Sequence, residues 1–496
     1  MLQLKVFATS IASIGAGWIV FNKSKYLKAE VEPEEPLETK KKIAVIGSGI
    51  GGSSTTYFLR ELLGPSAQID VYEQYERVGG RVNIVELNGH TIESGGTIIH
   101  DSNRYMVNFT DILGLERFKA LDVPNRLGIY NGKDFVFLES SITLFNKIKM
   151  MWRYGVFSLW NLDKSLSKML TDFQNIYTLQ NDGKAFSNVH DMLRAMGGEE
   201  FVEYTKLTAE EVMTRNGIGG RVIQELVTGV TRCNYGQDGG VNGFTGYVSM
   251  AGAQPGDLFS VKDGNFQVCE RLLKHSNANV YLNHRVNFII KELEDGNLRY
   301  YLQNKDGESE AYDAVVVAAP LEVPQCYFEC NKCSNWPDKA TLGRHQNTVA
   351  TFVQAYINYK RFGFEKPEDM PTDVFTTESE NVPFSTIGMQ LDVTGKRIEP
   401  PLYKLFSRQL LTDDEIKEYF IIDEKNGTKR VAVSWLAYPH YTPPEVFTSF
   451  VLDTGVFYVN AIERAASAME MSVIGGKNAA LLVNDYLAVE NAQESS

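Results

Sequence analysis

The stretch KIAVIGSGIGGSSTTYFLRELLG, Lys42 to Gly64, constrains the fold more than any other. An apolar β-type run, a glycine turn and an amphipathic helix, in that order, make one βα unit of a dinucleotide-binding sheet. Gly47, Gly49 and Gly52 have the G-x-G-x-x-G spacing. The first permits the tight turn, the second lets backbone approach a pyrophosphate, and the third lets helix and strand pack closely. Ile50 and Gly51 lie at the start of the helix, where free N–H groups face phosphates. The spacing alone is a weak signal. A second strand, QIDVYE, strengthens it by ending in Glu73, 21 residues past Gly52, where a ribose-binding carboxylate belongs. Such a carboxylate accepts from a 2′-hydroxyl and repels a 2′-phosphate, which leaves NAD and FAD as candidates.

The next segment separates them. YEQYERVGGR adds Gly79, Gly80 and Arg81 directly behind the acidic strand end. A longer flavin dinucleotide needs more backbone along its pyrophosphate, and a second glycine pair lets the chain pass close. Arg81 is expected to stand near the phosphates as a fixed cation. This combination resembles the signature of the flavin amine oxidase superfamily, so the cofactor is expected to be FAD. The resemblance extends to IESGGTIIH, with Gly95, Gly96 and Thr97 as flavin-lining residues, and to a strand around Val286 whose backbone would face the adenine. It also reaches the C-terminal segment bearing Glu463, Met469, Gly475 and Gly476. The expected fold class is α/β, a Rossmann-like domain assembled from separated pieces, 43–125, 254–345 and 445–488. An α+β substrate domain is inserted at 126–253, mostly helical, and at 346–444, mixed. Residues 489–496 are expected to be a disordered tail.

The insertions narrow the resemblance. GIYNGKDFVF, MMWRYG, RCNYGQ, WLAYPHYTPPE and IERAASAMEMSVI together look like the prenylcysteine oxidases, also called prenylcysteine lyases. That resemblance covers nearly everything after Ile43. It implies an FAD-dependent oxidoreductase, in the lysosome, vacuole or secretory lumen, that uses water and O2 to cleave the thioether of farnesyl- or geranylgeranyl-cysteine from degraded prenylated proteins. The carbon beside sulfur in that substrate is also allylic, so hydride loss leaves a cation shared by sulfur and the double bond. A hydride acceptor about 3–3.5 Å away suffices. Water addition then gives a hemithioacetal that collapses to cysteine and a prenyl aldehyde, and hydrogen peroxide forms as oxygen restores the cofactor. No strong protein base is required. His100, Tyr235, Tyr438 and His440 are the candidates for catalytic polar groups, each with an equally plain reading as a core or turn residue. The aromatic and Met-rich segment Leu144 to Trp160 is a candidate lining for an isoprenoid tunnel, or else ordinary helix core. Two other functions fit the dinucleotide motifs: a flavin amine oxidase acting on polyamines or other amines, and a non-catalytic prenyl carrier resembling the GDP-dissociation inhibitors of Rab GTPases.

Composition removes other classes. A net charge of -13 argues against nucleic acid as a partner. Cys326, Cys330 and Cys333 have a spacing also used by iron–sulfur clusters, but they follow a flavin-domain strand, and one local disulfide with a spare thiol is expected, with no metal. No cysteine follows Cys333, so FAD is expected to be noncovalent. In VKDGNFQV, Asp263 and a single glycine stand where the superfamily often has a glycine pair. At the N-terminus, residues 1–21 read first as a secretory signal peptide, and Lys23, Lys25 and Lys28 after the apolar run leave an uncleaved membrane anchor as the alternative. Residues 22–42 read as a charged linker. Glycosylation sequons stand at Asn22, Asn108 and Asn426.

Overall fold

The computed structural model describes residues 41–120, 126–379, 381–422 and 429–494. The apolar run and nearly all of the linker, with Asn22 and Asn426, lie outside the described residues. Among the described residues no helix is long and apolar enough to cross a membrane.

The strand β1 (Lys42–Ile46) is wholly buried past Lys42 because its residues are apolar on both faces. It pairs in parallel with β2 (Gln68–Tyr72) on one side and with Ala314–Val317 on the other, in the register Ile43 to Ala314. Asn279–Tyr281 and Val456–Tyr458 extend this parallel sheet, and Val451–Asp453 closes its edge antiparallel. Continuous apolar strands such as AVVV belong in a sheet covered on both faces. Between β1 and β2 runs the helix α1 (Ile50–Leu63), ended by Gly64 at φ +73. The C-terminal helix Met469–Glu494 lies against α1. The contact is close because a Cβ on Gly476 would stand 2.8 Å from the Gly51 carbonyl oxygen.

The two insertions share a second sheet of seven strands. Leu127–Tyr130 and Phe135–Leu138 come from the first, and pair through Asp373–Thr376 with four strands from 345–439. The rest of the first insertion is helical, from Thr143 to Met250. The second mixes strands, which predominate, with short helices, of which Asp413–Tyr419 is the one α-helix among the described residues. Two expectations need correction. Val286 sits in the connection between Asn279–Tyr281 and Phe288–Glu294, not within a strand, because the chain must cross from the main sheet to a four-stranded one. The supposed tail is helical to Glu494, an extension of the helix packed on α1.

Candidate functional site

The two glycine segments form one structure. The Gly79 amide donates to the Ser48 carbonyl at 3.1 Å, and Gly49 and Gly79 pair as a parallel bridge. Gly79 has φ +107, and a Cβ there would stand 2.7 Å from the Val82 carbonyl oxygen. The second pair is therefore the opposite wall of the first turn. Between them opens the N-terminus of α1, whose first residue follows Gly49 without a side-chain cap, leaving its amides free for an anion. Gly52 lies behind this cradle, where a Cβ would come within 1.9 Å of the Gly47 carbonyl oxygen.

The carboxylate of Glu73 is fixed at the end of β2. Its Oε2 accepts from the Ser48 amide at 3.1 Å and the Ser48 hydroxyl at 2.6 Å, and its Oε1 accepts from the Tyr75 amide at 3.0 Å. Oε2 is filled by its two donors, and Oε1 keeps a lone pair for a ribose hydroxyl. Around these groups is a cavity of about 780 Å³, within the range of cofactor sites. Gly47, Gly49, Ile50, Gly51, Glu73, Gly79, Gly80, Arg81, Gly95, Gly96, Val286 and Met469 line it. Gly52, Thr97 and Glu463 do not.

Glu463 instead grips Arg81. The Arg81 guanidinium forms an ion pair with Glu463 and donates to the Ala437 carbonyl at 2.8 Å. Ser467 and Asn460 donate to the same carboxylate at 2.7 Å and 3.0 Å. Burial alone would raise the pKa of Glu463, but Arg81 brings it down to about 2. Arg81 was expected to be a cation for the phosphates; its charge is already balanced within the protein. Thr97 is likewise occupied, donating to the Gly95 carbonyl at 3.0 Å and accepting from Lys404 Nζ at 3.0 Å.

Of the four polar candidates, Tyr438 alone is a cavity-lining residue. Tyr235 stands behind it with ring centroids 5.3 Å apart and donates its hydroxyl to the Ser467 carbonyl at 3.0 Å. Burial pushes both phenols well above their ordinary range. His100 is held by Ser102, Oγ to Nδ1 2.7 Å, away from the cavity. His440 is held by Gln346 at 2.9 Å, with its pKa lowered by burial and by Arg344. The four do not form a cluster.

No residue of Leu144 to Trp160 lines this cavity. Asn146, Met150, Tyr154 and Leu159 turn inward, while Trp152 is 88% exposed and Phe157 83%. Period-3.6 counting cannot say which apolar face meets the core when apolar residues lie on both.

Several residues were missed. Lys404 is buried behind the Gly95–Gly96 segment, donating to the Glu93 carbonyl at 3.3 Å as well as to Thr97. Burial lowers its pKa to about 8, against the pull of Glu93, whose own carboxyl burial raises to about 7. A lone lysine inside the apolar run PLYKLFS was the available signal. Arg77 braces the second glycine pair, donating to the Gly80 carbonyl at 3.0 Å. His345, buried with both ring nitrogens unpartnered, is pushed down to about 4 by burial; nothing local in the sequence marked it. The single glycine of VKDGNFQV does not prevent the turn, because Asp263 itself adopts φ +66, a conformation Asp tolerates better than most side chains. Asn265 then donates to the Gly96 and Thr97 carbonyls at 2.8 Å each. Cys330 and Cys333 form a disulfide and Cys326 is free.

The second wall of the cavity comes from the strand Lys429–Pro439, through Val433 to Tyr438. Residues 137–495, which include that wall, match the prenylcysteine lyase family, and residues 45–113 match an NAD(P)-binding Rossmann-like domain. The chain belongs to the prenylcysteine lyase family. It is 36% identical to prenylcysteine oxidase 1 of Bos taurus, over 96% of this chain and 94% of that one. It is 33% identical to farnesylcysteine lyase of Arabidopsis thaliana, over 91% and 90%. Among solved structures, a triple mutant of putrescine oxidase superimposes with a TM-score of 0.59 at 12% identity, covering 91% of this chain and 99% of that one. A fatty acid isomerase from P. acnes gives 0.60 at 14%, covering 89% and 98%. These two share the fold alone, and it is the α/β architecture expected from the glycine motifs.

Proposed function

We propose that this protein is an FAD-dependent thioether oxidase that cleaves S-prenyl-L-cysteine with water and O2 to cysteine, a prenyl aldehyde and hydrogen peroxide. One observation carries the reading: Trp435 to Tyr438, from the family-specific WLAYPHY segment, lines the same cavity as the dinucleotide cradle of Gly47 to Gly51. The cradle fits the cofactor, since a Cβ on Gly47 or Gly51 would crowd its neighbours, at 3.1 Å and 2.9 Å, and Glu73 Oε1 presents a free lone pair. FAD, bound noncovalently, would supply the hydride acceptor. The chain's own residues bind and orient. The amides at the start of α1 and the bridge of Gly49 with Gly79 receive the pyrophosphate, Glu73 the adenosine ribose and the Val286 backbone the adenine. Trp435, Leu436 and Tyr438 offer apolar surface to the isoprenoid. Because sulfur and the double bond carry the developing cation, the reaction is compatible with Tyr438 alone of the four polar candidates lining the cavity. The insertions 126–253 and 346–444 are taken as the substrate domain. A lysosomal, vacuolar or secretory lumen accords with the Cys330–Cys333 disulfide and with Asn108 exposed on the helix Arg104–Ile112.

The test is product analysis in air. Purified yellow protein given farnesylcysteine should release farnesal, cysteine and hydrogen peroxide in equal amounts, and should give no peroxide with spermine. Peroxide from the amine but not the thioether would establish an amine oxidase. A colourless protein that binds farnesylcysteine unchanged would establish a carrier.

A further inference from the structure

The segment Leu144 to Trp160, away from the cavity, forms an unusual surface. The helices Thr143–Tyr154 and Val156–Phe173, joined at Gly155, turn Leu144, Phe145, Ile148, Met151, Trp152 and Phe157 to solvent. The spacing of 145, 148 and 152 makes a stripe on one helix, and Val156, Phe157 and Trp160 continue it on the next. Soluble proteins seldom leave so many large apolar side chains together in water. Within the segment itself the charged residues have one sign. From Ser141 to Trp160 there is no Asp or Glu, while Lys147, Lys149 and Arg153 lie within the segment, in a chain whose net charge is -13. Arg221 joins them, donating to the Arg153 carbonyl at 3.1 Å, and Lys164 stands 5.2 Å over the Trp160 ring. Arg153 is paired with Glu225 at 2.7 Å.

We infer that the Ile142–Trp160 surface docks onto an anionic lipid bilayer, with Trp152 and Phe157 in the acyl boundary and the lysines at the headgroups. The apolar stripe with a basic margin, and Trp at its edge, is the chemistry of an interfacial helix. A protein partner would require complementary acidic residues around an apolar groove, whereas an anionic membrane supplies both features in a plane. Docking stands on this surface alone; its purpose rests on the function proposed above. Glu225, which holds Arg153, lies in the first turn of a continuous helical rod, Val222–Val227 into Thr228–Tyr235, about 20 Å long. The rod ends at Tyr235, packed on the cavity residue Tyr438. A prenylated amino acid dissolves in bilayers, so docking would bring the cavity to where its substrate collects.

Full-length holoprotein should float with vesicles of phosphatidylcholine and phosphatidylserine. Vesicles carrying brominated acyl chains should quench its tryptophan fluorescence. The W152F/W160F variant keeps the surface apolar and removes its fluorophores. The difference in quenching between it and the parent therefore reports this surface alone and cancels any signal from Trp18. A clear difference is expected. W152E/F157E changes two exposed side chains, so it should fold; it should lose the site-specific contact, measured as at least about tenfold weaker partitioning of the parent-type signal. Its turnover of detergent-dispersed substrate should remain. Equal quenching in parent and W152F/W160F would overturn the proposal. So would binding indifferent to phosphatidylserine, or a dimer in solution that W152E/F157E converts to monomer. None of these readouts uses catalysis, so failure of the functional reading would show separately.

Discussion

Replacing Arg81 by Met leaves Glu463 buried without its partner. The carboxyl is 7% exposed in its side chain, and holding it at about 2 rather than 4.5 corresponds to about 3 kcal/mol of folded-state stability. Because the folded pKa is depressed, that stability is complete above the unfolded value and is lost only as pH falls from about 4.5 toward 2. At pH 7.5 Arg81→Met should therefore cost about 3 kcal/mol, in line with breaking a buried pair. Burial then pushes the orphaned carboxyl upward, so the variant should regain stability as pH falls toward 5, where the parent changes little on this account. Glu463→Gln should cost less, since the Arg81 guanidinium keeps the Ala437 carbonyl and partial contact with water. The double variant should be more stable than the sum of the single losses allows, with a coupling of about 2 kcal/mol. Urea unfolding of the holoproteins, followed by intrinsic fluorescence at both pH values, measures all three. Additive losses with no pH signature would refute the ion pair as the reason for Arg81.

Other parts of the site make separate demands. Glu73→Gln should weaken FAD binding by about tenfold or more, read from retained visible absorbance, with far-UV circular dichroism unchanged. Gly52→Ala should yield flavin-free, destabilised protein, by about 1–3 kcal/mol or more, whereas Gly220→Ala, whose Cβ meets nothing within 4 Å, should be near neutral. Buried Glu93 and Glu470 both lie at about 7; a raised folded pKa contributes stability below the unfolded value and loses it as pH rises through 7. Buried His345, at about 4, acts in the opposite sense. The net should be greater urea resistance at pH 5 than at pH 7.5, by about 2 kcal/mol, and Glu470→Gln should flatten that profile. Cys326 lines the cavity beside Gln74. Alkylation there should be slow in the yellow protein and faster once the flavin is removed.

Local patterns made the dinucleotide half legible. Gly47, Gly49 and Gly52 work through backbone geometry and Glu73 through a carboxylate at the end of the next strand, all within one βαβ unit, so spacing along the chain reports them directly. Gly79 could be read as a close approach, though not as the second wall of the first turn, because the bridge to Gly49 is tertiary. Arg81 and Glu463 both read as cofactor residues; Arg81 lines the cavity, while Glu463 stands outside the lining and pairs with Arg81 across a separation in sequence that no motif spans. Lys404 and His345 lie on strands of the inserted sheet, and strand alternation alone does not say which face a lone polar residue takes. The Leu144–Trp160 segment carries apolar residues on both sides of its helices, so composition suggested an interior where one face is solvent-exposed.

The central claim, that the cavity holds a flavin which oxidises a prenyl thioether, is tested most directly without oxygen. Farnesylcysteine added anaerobically to the purified yellow protein should bleach the flavin band near about 450 nm, and spermine should leave it intact. An oxidised band that persists with farnesylcysteine while an amine removes it would contradict the account.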